Sequence, residues 1–146
     1  MWDSANLTLI GRVLLGLIFL VSAVNKLADP QGTQQYMTMM GMTWMTTWFY
    51  IGAVAVELGG SLSLLLGYRA KAGGWLLLCF MIPTTLIFHT HFADSNQLIH
   101  FLKNLSIMGG LLYVAQYGAG RYSMDAGLER AAAVEAPRRL RKVVHQ

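Results

Sequence analysis

Three ionisable side chains, Arg12, Glu57 and Lys103, lie within long apolar stretches of this 146-residue chain. An ionisable group at the depth of a bilayer is energetically costly, so it marks either a structural pair or a functional site. At a rise of about 1.5 Å per residue, we expect Glu57 roughly 18 Å from one boundary of its stretch and roughly 13 Å from the other. Arg12 should lie roughly 8 Å inside that second boundary. The long Arg12 side chain can cover the remaining gap of ~5 Å. We therefore predict an Arg12–Glu57 ion pair, which either fixes packing alone or leaves Glu57 to accept a proton or hold a ligand.

A second group of polar side chains lies near the other boundary of the same stretches. Lys26 ends the first stretch, His89 ends the third, and Lys103 and Asn104 open the fourth. His100 shares a helix face with Lys103 and Asn104, because residues three and four apart are neighbours on a helix. The two lysines supply positive charge, Asn104 a hydrogen bond, and His89 a proton that exchanges near neutral pH. Together these groups predict a positively biased cup that suits a small oxoanion or the polar head of a quinone.

Histidines and methionines raise the question of a metal site. His89 and His91 point about 200° apart on a helix, so both face the cup only if the helix has already ended. Five methionines fall between Met37 and Met45, and thioethers bind Cu(I). The alternative is an apolar interfacial segment that dips into the bundle, anchored by aromatic residues such as Trp44. We assign no metal ligands, because the chain contains no zinc-ligand spacing.

The elements that position these groups follow from composition. The chain is 55% apolar and 12% charged, whereas an ordinary soluble domain carries roughly 25% charged residues. A bilayer span needs ~20 mostly apolar residues, and four stretches qualify, at about 7–27, 45–66, 72–92 and 98–117. The predicted fold is all-α, an integral membrane four-helix bundle. It forms one domain over residues 1–127, and residues 128–146 form a basic tail that is amphipathic or disordered.

The distribution of lysine and arginine predicts the orientation. Arg69 and Lys71 separate the second and third spans, Arg121 follows the fourth, and five more basic residues lie beyond Glu129. Because cytoplasmic loops are enriched in such residues, both termini should be cytoplasmic. The two short loops at about 28–44 and 93–97, and the polar cup beside them, should then face the periplasm. The net charge of +4 is then explained by a tail that faces anionic lipid. We expect the lipid bilayer as a partner and no nucleic acid.

Short motifs occur along the chain in a recognisable order: Gly11-Arg12, Lys26 followed by Gly32–Met37, Glu57–Gly60, Phe88-His89, Lys103–Leu105, and Gly120–Asp125. In this order and spacing, from about residue 8 to residue 128, the chain resembles the DoxX family of small bacterial four-helix membrane proteins. The resemblance implies a multi-pass protein of the bacterial cytoplasmic (inner) membrane. It also implies a site formed by Lys26, Glu57, His89, Lys103 and Asn104, with Arg12 in support. Related members are associated with quinone-coupled thiosulfate oxidation or with oxidative-stress complexes.

Three classes of function are consistent with these residues. The first is the membrane component of a redox system linked to quinone or to sulfur oxoanions, with Glu57 and His89 exchanging protons. With no flavin, no haem and a single cysteine, Cys79, the chain has no intrinsic cofactor and would need a bound quinone or a redox partner protein. The second is a non-enzymatic binding or assembly subunit, and the third a small transporter or copper handler. The chain could also form a homo-oligomer.

Overall fold

The computed structural model describes residues 3–144 of the chain, with side chains through residue 135. This part of the chain is helical and contains no strand. The helices are α1 (Ser4–Ala28), α2 (Pro30–Met39), α3 (Thr46–Leu66), α4 (Ala70–Phe88), α5 (Ser95–Tyr117) and α6 (Met124–Val144). Four of them, α1, α3, α4 and α5, are long and apolar enough to cross a membrane. The predicted all-α fold with four spans is therefore confirmed.

Local sequence accounts for where these helices begin and end. Asp3 and Asp94 accept backbone N–H bonds at the starts of α1 and α5. Asp29 does the same for α2, accepting from Gly32 N at 2.9 Å, and Pro30 occupies the first turn, where its missing N–H costs nothing. Gly67 ends α3 with a φ of 66°, a left-handed conformation that glycine adopts without a Cβ clash.

The spans pack as antiparallel neighbours through small residues. We name the two ends of the bundle the Arg12 end, where α1 begins and α3 ends, and the α2 end, where α1 ends and α3 begins. On α3, a Cβ at Gly60 would overlap the Leu77 side chain of α4. On α4, a Cβ at Gly74 would lie 3.1 Å from the backbone nitrogen of Ala115 in α5. Small residues at these positions allow the helix backbones to approach closely.

The structure differs from the sequence prediction in two segments at the α2 end. The segment 28–44 was expected to be a loop, but it contains the ten-residue helix α2. The third span was expected to reach residue 92, but α4 ends at Phe88, with His89 as its cap at φ −131°. The Tyr36 ring of α2 stacks on Phe88, with 5.6 Å between the ring centroids. Helix α2 and the early end of α4, the two features that the sequence did not predict, are therefore in contact with each other.

At the Arg12 end, the chain that follows α5 folds back onto the loop between α3 and α4. Asp125 accepts hydrogen bonds from the backbone nitrogens of Arg69 at 2.7 Å and Ala70 at 3.0 Å. Its own backbone nitrogen donates to Gly67 O at 2.9 Å. The N-cap residue of α4, Arg69, makes no capping hydrogen bond with its own side chain. Asp125 takes this role and satisfies the first backbone N–H groups of α4. The predicted tail is helical as far as Val144, because α6 continues from this contact.

Candidate functional site

An ion pair between α1 and α3 lies at the centre of the candidate site. Lys26 Nζ is 3.0 Å from Glu57 Oε1 and donates to Ser22 Oγ at 2.7 Å. The Ser22 hydroxyl in turn donates to the same Glu57 oxygen at 3.1 Å. Ser22 and Lys26 are four residues apart and therefore share one face of α1. One carboxylate oxygen of Glu57 thus receives two hydrogen bonds from α1.

The predicted Arg12–Glu57 ion pair is wrong. Arg12 lies beside Gly67, where its guanidinium fills the space that a side chain at position 67 would need. Gly67 is ten residues beyond Glu57, a distance of about 15 Å along a helix. Arg12 instead donates through Nη1 and Nη2 to the carbonyl oxygens of Ala119 and Tyr122, each at 3.0 Å. The sequence estimate failed because it measured the two depths from span boundaries that are not level with each other.

The second carboxylate oxygen of Glu57 has no partner. The side chain is only 5% exposed, and Oε2 makes no hydrogen bond within the described part of the chain. An ionised carboxylate can only accept, and a buried acceptor left unpaired costs about 1–3 kcal/mol. A ligand that carries a hydrogen-bond donor would therefore satisfy Glu57 Oε2.

Glu57 lines a cavity of about 810 Å³ between the spans and α2. Apolar side chains form most of the wall, among them Phe19, Val56, Phe80, Met81 and Ile107. The structure brings all five residues that the family resemblance implied into this one cavity: Lys26, Glu57, His89, Lys103 and Asn104. Arg12 is not among them. The cavity therefore combines an apolar wall with a small set of polar groups, which is the usual composition of a small-molecule site.

The polar groups on α4 and α5 are held mainly by one another. Asn104 is buried and donates to Thr85 Oγ1 at 3.0 Å. His89 stacks on His100 at 5.2 Å between ring centroids, and its Nδ1 lies 2.8 Å from Gln97 Oε1. The exposed Lys103 has Nζ 3.1 Å from His100 Nδ1. These contacts orient His89 and Asn104, whereas Lys103 lies at the exposed margin of the cavity.

His91 is exposed and does not line the cavity. Because α4 ends at Phe88, His89 is released from helical geometry and turns towards the cavity. The condition stated above, that the helix must already have ended, is therefore met, but of the two histidines only His89 lines the cavity.

The methionine cluster divides between the interior and the surface. Met37 is buried at 6% exposure and lines the cavity, whereas Met39 is 75% exposed. Within the described residues, no group of three or more His, Cys, Asp and Glu side chains could hold a metal ion. The burial of Met37 agrees with the interfacial alternative, in which part of the segment dips into the bundle, and Cu(I) binding by the thioethers stays a prediction to test.

Sequence reasoning missed two contributors to the site. Ser22 joins Lys26 to Glu57, and the four-residue spacing of Ser22 and Lys26 on one apolar helix was the available signal. Tyr36, on the unpredicted helix α2, lines the cavity. Only Asp29 followed by Pro30, an N-cap residue and a proline in the first turn, indicated that a helix could begin there.

Comparison with known proteins places the chain among inner-membrane proteins. The sequence profile of the family described as DoxX matches residues 7–90. The inner membrane protein YqjF of Escherichia coli strain K12 is 34% identical over 122 residues, covering 84% of this chain and 92% of the relative. The inner membrane protein YphA of the same strain is 32% identical over 125 residues, covering 82% and 88%. No solved structure matches the chain. With four helices able to span a membrane, the chain is a multi-pass inner-membrane protein, and it belongs to the DoxX family.

Proposed function

We propose that this DoxX protein binds a quinone or quinol in the cavity between its spans and serves as the membrane component of a redox system. The observation that carries the proposal is the unpartnered Oε2 of Glu57, buried in the wall of a largely apolar cavity. The cavity volume of about 810 Å³ falls within the range of roughly 300–1,000 Å³ for small-molecule sites. A quinol hydroxyl supplies the donor that this oxygen lacks.

The polar groups beside Glu57 suit both redox forms of such a ligand. Lys26 carries three N–H donors, of which Ser22 and Glu57 use two. The third can donate to a quinone carbonyl, while Glu57 Oε2 accepts from a quinol hydroxyl. Apolar walls formed by Phe19 and Phe80 accommodate the ring. A ligand that changes between acceptor and donor thus finds a partner in each state.

The chain's own residues supply binding and proton transfer rather than electron transfer. Oxidation of a quinol to a quinone releases two protons and two electrons. Glu57 Oε2 is placed to take one proton, and His89, which also lines the cavity, can take or relay the other. Cys79 is the only cysteine, so no intramolecular dithiol can receive the electrons. We assign the two electrons to a redox partner protein that carries its own flavin, haem or metal centre as the acceptor.

A sulfur oxoanion fits this cavity less well. The charge of Lys26 is neutralised by Glu57 at 3.0 Å, and the free carboxylate oxygen would repel an anion. Lys103, the other cavity-lining lysine, is exposed. The pairing of Lys26 therefore removes much of the positive bias that the sequence predicted, and it favours a neutral amphiphile.

The test is to extract the protein gently from its own membrane and to identify retained small molecules by mass spectrometry. Wild type should retain quinone, Glu57→Gln should lose most of it, and Glu129→Gln, an exposed acidic residue outside the cavity, should retain it. If wild type retains none and binds no added ubiquinone, the proposal is wrong. Stoichiometric copper would then indicate a metal handler, and a co-purified protein without a small molecule would indicate an assembly subunit.

A further inference from the structure

Helices α3 and α4 are closely packed along one half of their length only. Towards the Arg12 end, a Cβ at Gly60 would overlap Leu77, and one at Gly73 would overlap Ser63. Towards the α2 end, a Cβ at Gly52 of α3 would meet no heavy atom within 4 Å. Gly52 is nevertheless a cavity-lining residue. In this half, Gly52 and Val56 of α3 and Phe80 and Pro83 of α4 all line the cavity, so the cavity extends between the two helices.

The rim of this part of the cavity faces the surface of the bundle. Phe49 is 50% exposed and Ile87 is 40% exposed, and Gly52 and Pro83 are exposed as well. All four also line the cavity, so the cavity reaches the outer surface between α3 and α4. Gly52 lies six residues into α3, about 9 Å from the start of that helix. At this depth the surface of the bundle meets hydrocarbon rather than water.

The α2 end of the cavity is occupied by α2 itself. Thr33, Tyr36 and Met37 of this helix line the cavity. Tyr36 is held by its stacking on Phe88, and Met37 is buried. The Tyr50 hydroxyl donates to Lys26 O at 3.1 Å and joins α3 to the last turn of α1 beneath α2. Helix α2 thus covers part of the cavity at this end, where the cavity-lining residues Asn25, Asp29 and Lys103 are exposed.

We propose that the ligand of this site enters sideways from the lipid, through the opening between α3 and α4, which we name the α3/α4 portal and define by Phe49, Gly52, Pro83 and Ile87. This inference rests on the proposed function, because it concerns the same site. It identifies the ligand class as a membrane-dissolved amphiphile with a hydrogen-bond donor on its polar end. That end reaches Glu57, which lies five residues beyond Gly52, about 7 Å further along α3. A water-soluble oxoanion has no route through hydrocarbon to this opening.

Two glycines of α3 provide a matched pair of variants. Gly52 and Gly59 are both exposed, both lie within the helix, and a Cβ at either meets nothing within 4 Å. Only Gly52 lines the cavity. Gly52→Phe therefore places a ring in the portal, whereas Gly59→Phe places the same ring about two turns further along nearly the same face of α3, outside the cavity lining. Ile87→Phe narrows the portal from the α4 side without adding a tryptophan, and it replaces Gly52→Phe if that variant does not fold.

The experiment follows the binding of decylubiquinol to protein in proteoliposomes by the quenching of tryptophan fluorescence, since Trp48 lines the cavity. We expect Gly52→Phe to slow binding about tenfold with a final occupancy near that of wild type, and Gly59→Phe to bind at the wild-type rate. Equal rates for both variants would overturn the portal and leave the proposed function intact. No binding by wild type would overturn the proposed function itself. Binding of thiosulfate from the aqueous phase, at a rate unaffected by Gly52→Phe, would contradict both the ligand class and the route.

Discussion

Lys26 Nζ lies 3.0 Å from Glu57 Oε1, while Glu57 Oε2 has no hydrogen-bond partner within the described residues. The carboxylate is thus half satisfied by α1 and half turned to the cavity. This division separates two roles that a buried ion pair usually combines. Oε1 joins α1 to α3, and Oε2 remains available to a ligand. The predictions below test the two roles and the surroundings of the pair.

Removal of Lys26 should destabilise the bundle, and removal of Glu57 as well should restore part of the loss. Lys26→Met leaves the Glu57 charge without its partner. Breaking a buried pair in this way costs about 3–5 kcal/mol, and we expect the lower part of that range because the Lys26 side chain is 22% exposed. Melting in detergent of Lys26→Met, Glu57→Gln and the double variant gives the coupling energy. A cycle with Arg12→Leu in place of Lys26→Met should be additive, because the Arg12 guanidinium lies beside Gly67, about 15 Å along α3 from Glu57. Coupling in that cycle would contradict the observed pairing.

Loss of Arg12 should loosen the Arg12 end of the bundle without emptying the cavity. Its guanidinium is the hydrogen-bond partner of the Ala119 and Tyr122 carbonyls, and Arg12→Leu leaves both without a side-chain donor. We expect a loss of about 2–3 kcal/mol of stability. Hydrogen exchange of residues 118–125 should become faster, while retention of quinone should match wild type. Unchanged exchange in this segment would show that the two carbonyl contacts contribute little.

Lys103 and His89 should affect ligand retention more than folding. Lys103 is exposed, and its ammonium can remain in water at the margin of the bundle, so Lys103→Met should change the melting temperature little. His89→Gln keeps a polar side chain beside Gln97 but loses the stacking on His100. Reduced retention of quinone at nearly unchanged melting temperature is expected for both variants. As a control, Asn104→Leu removes the bond to Thr85 Oγ1 and should reduce stability by about 1 kcal/mol. Strong destabilisation by Lys103→Met would instead indicate that this polar layer is structural.

Both termini are predicted to lie in the cytoplasm. Arg69, Lys71 and Arg121 all lie at the Arg12 end, and cytoplasmic loops carry the excess of such residues. A reporter that works only in the cytoplasm should be active when it is fused after Ser123, and a reporter that works only in the periplasm should be inactive there. A reporter placed within residues 31–42, on or beside α2, should be active only if it is a periplasmic one. Periplasmic activity at the C-terminal fusion would reverse the orientation.

The amino-acid sequence by itself determined the four spans, because the cost of placing a residue in hydrocarbon is a local property that sums along a helix. It also indicated the end of α3 at Gly67, since a glycine at this position can take the left-handed conformation that ends a helix. The grouping of Lys26, Glu57, His89, Lys103 and Asn104 in one cavity agrees with the site that the family resemblance implied. These features depend on residue type and on spacing within single helices.

The partner of Glu57 was decided only by the tertiary structure. Arg12 and Lys26 lie on the same face of α1 at opposite ends, and the choice between them depends on how far α1 is shifted along α3. Close packing sets that shift, for example through the contact of Gly16 with Leu65, together with the helix α2 that connects the two spans. No periodicity within one helix contains this information. The same is true of the proposed portal, because its residues belong to two helices, Phe49 and Gly52 to α3 and Pro83 and Ile87 to α4, and only packing of the pair brings them to one opening.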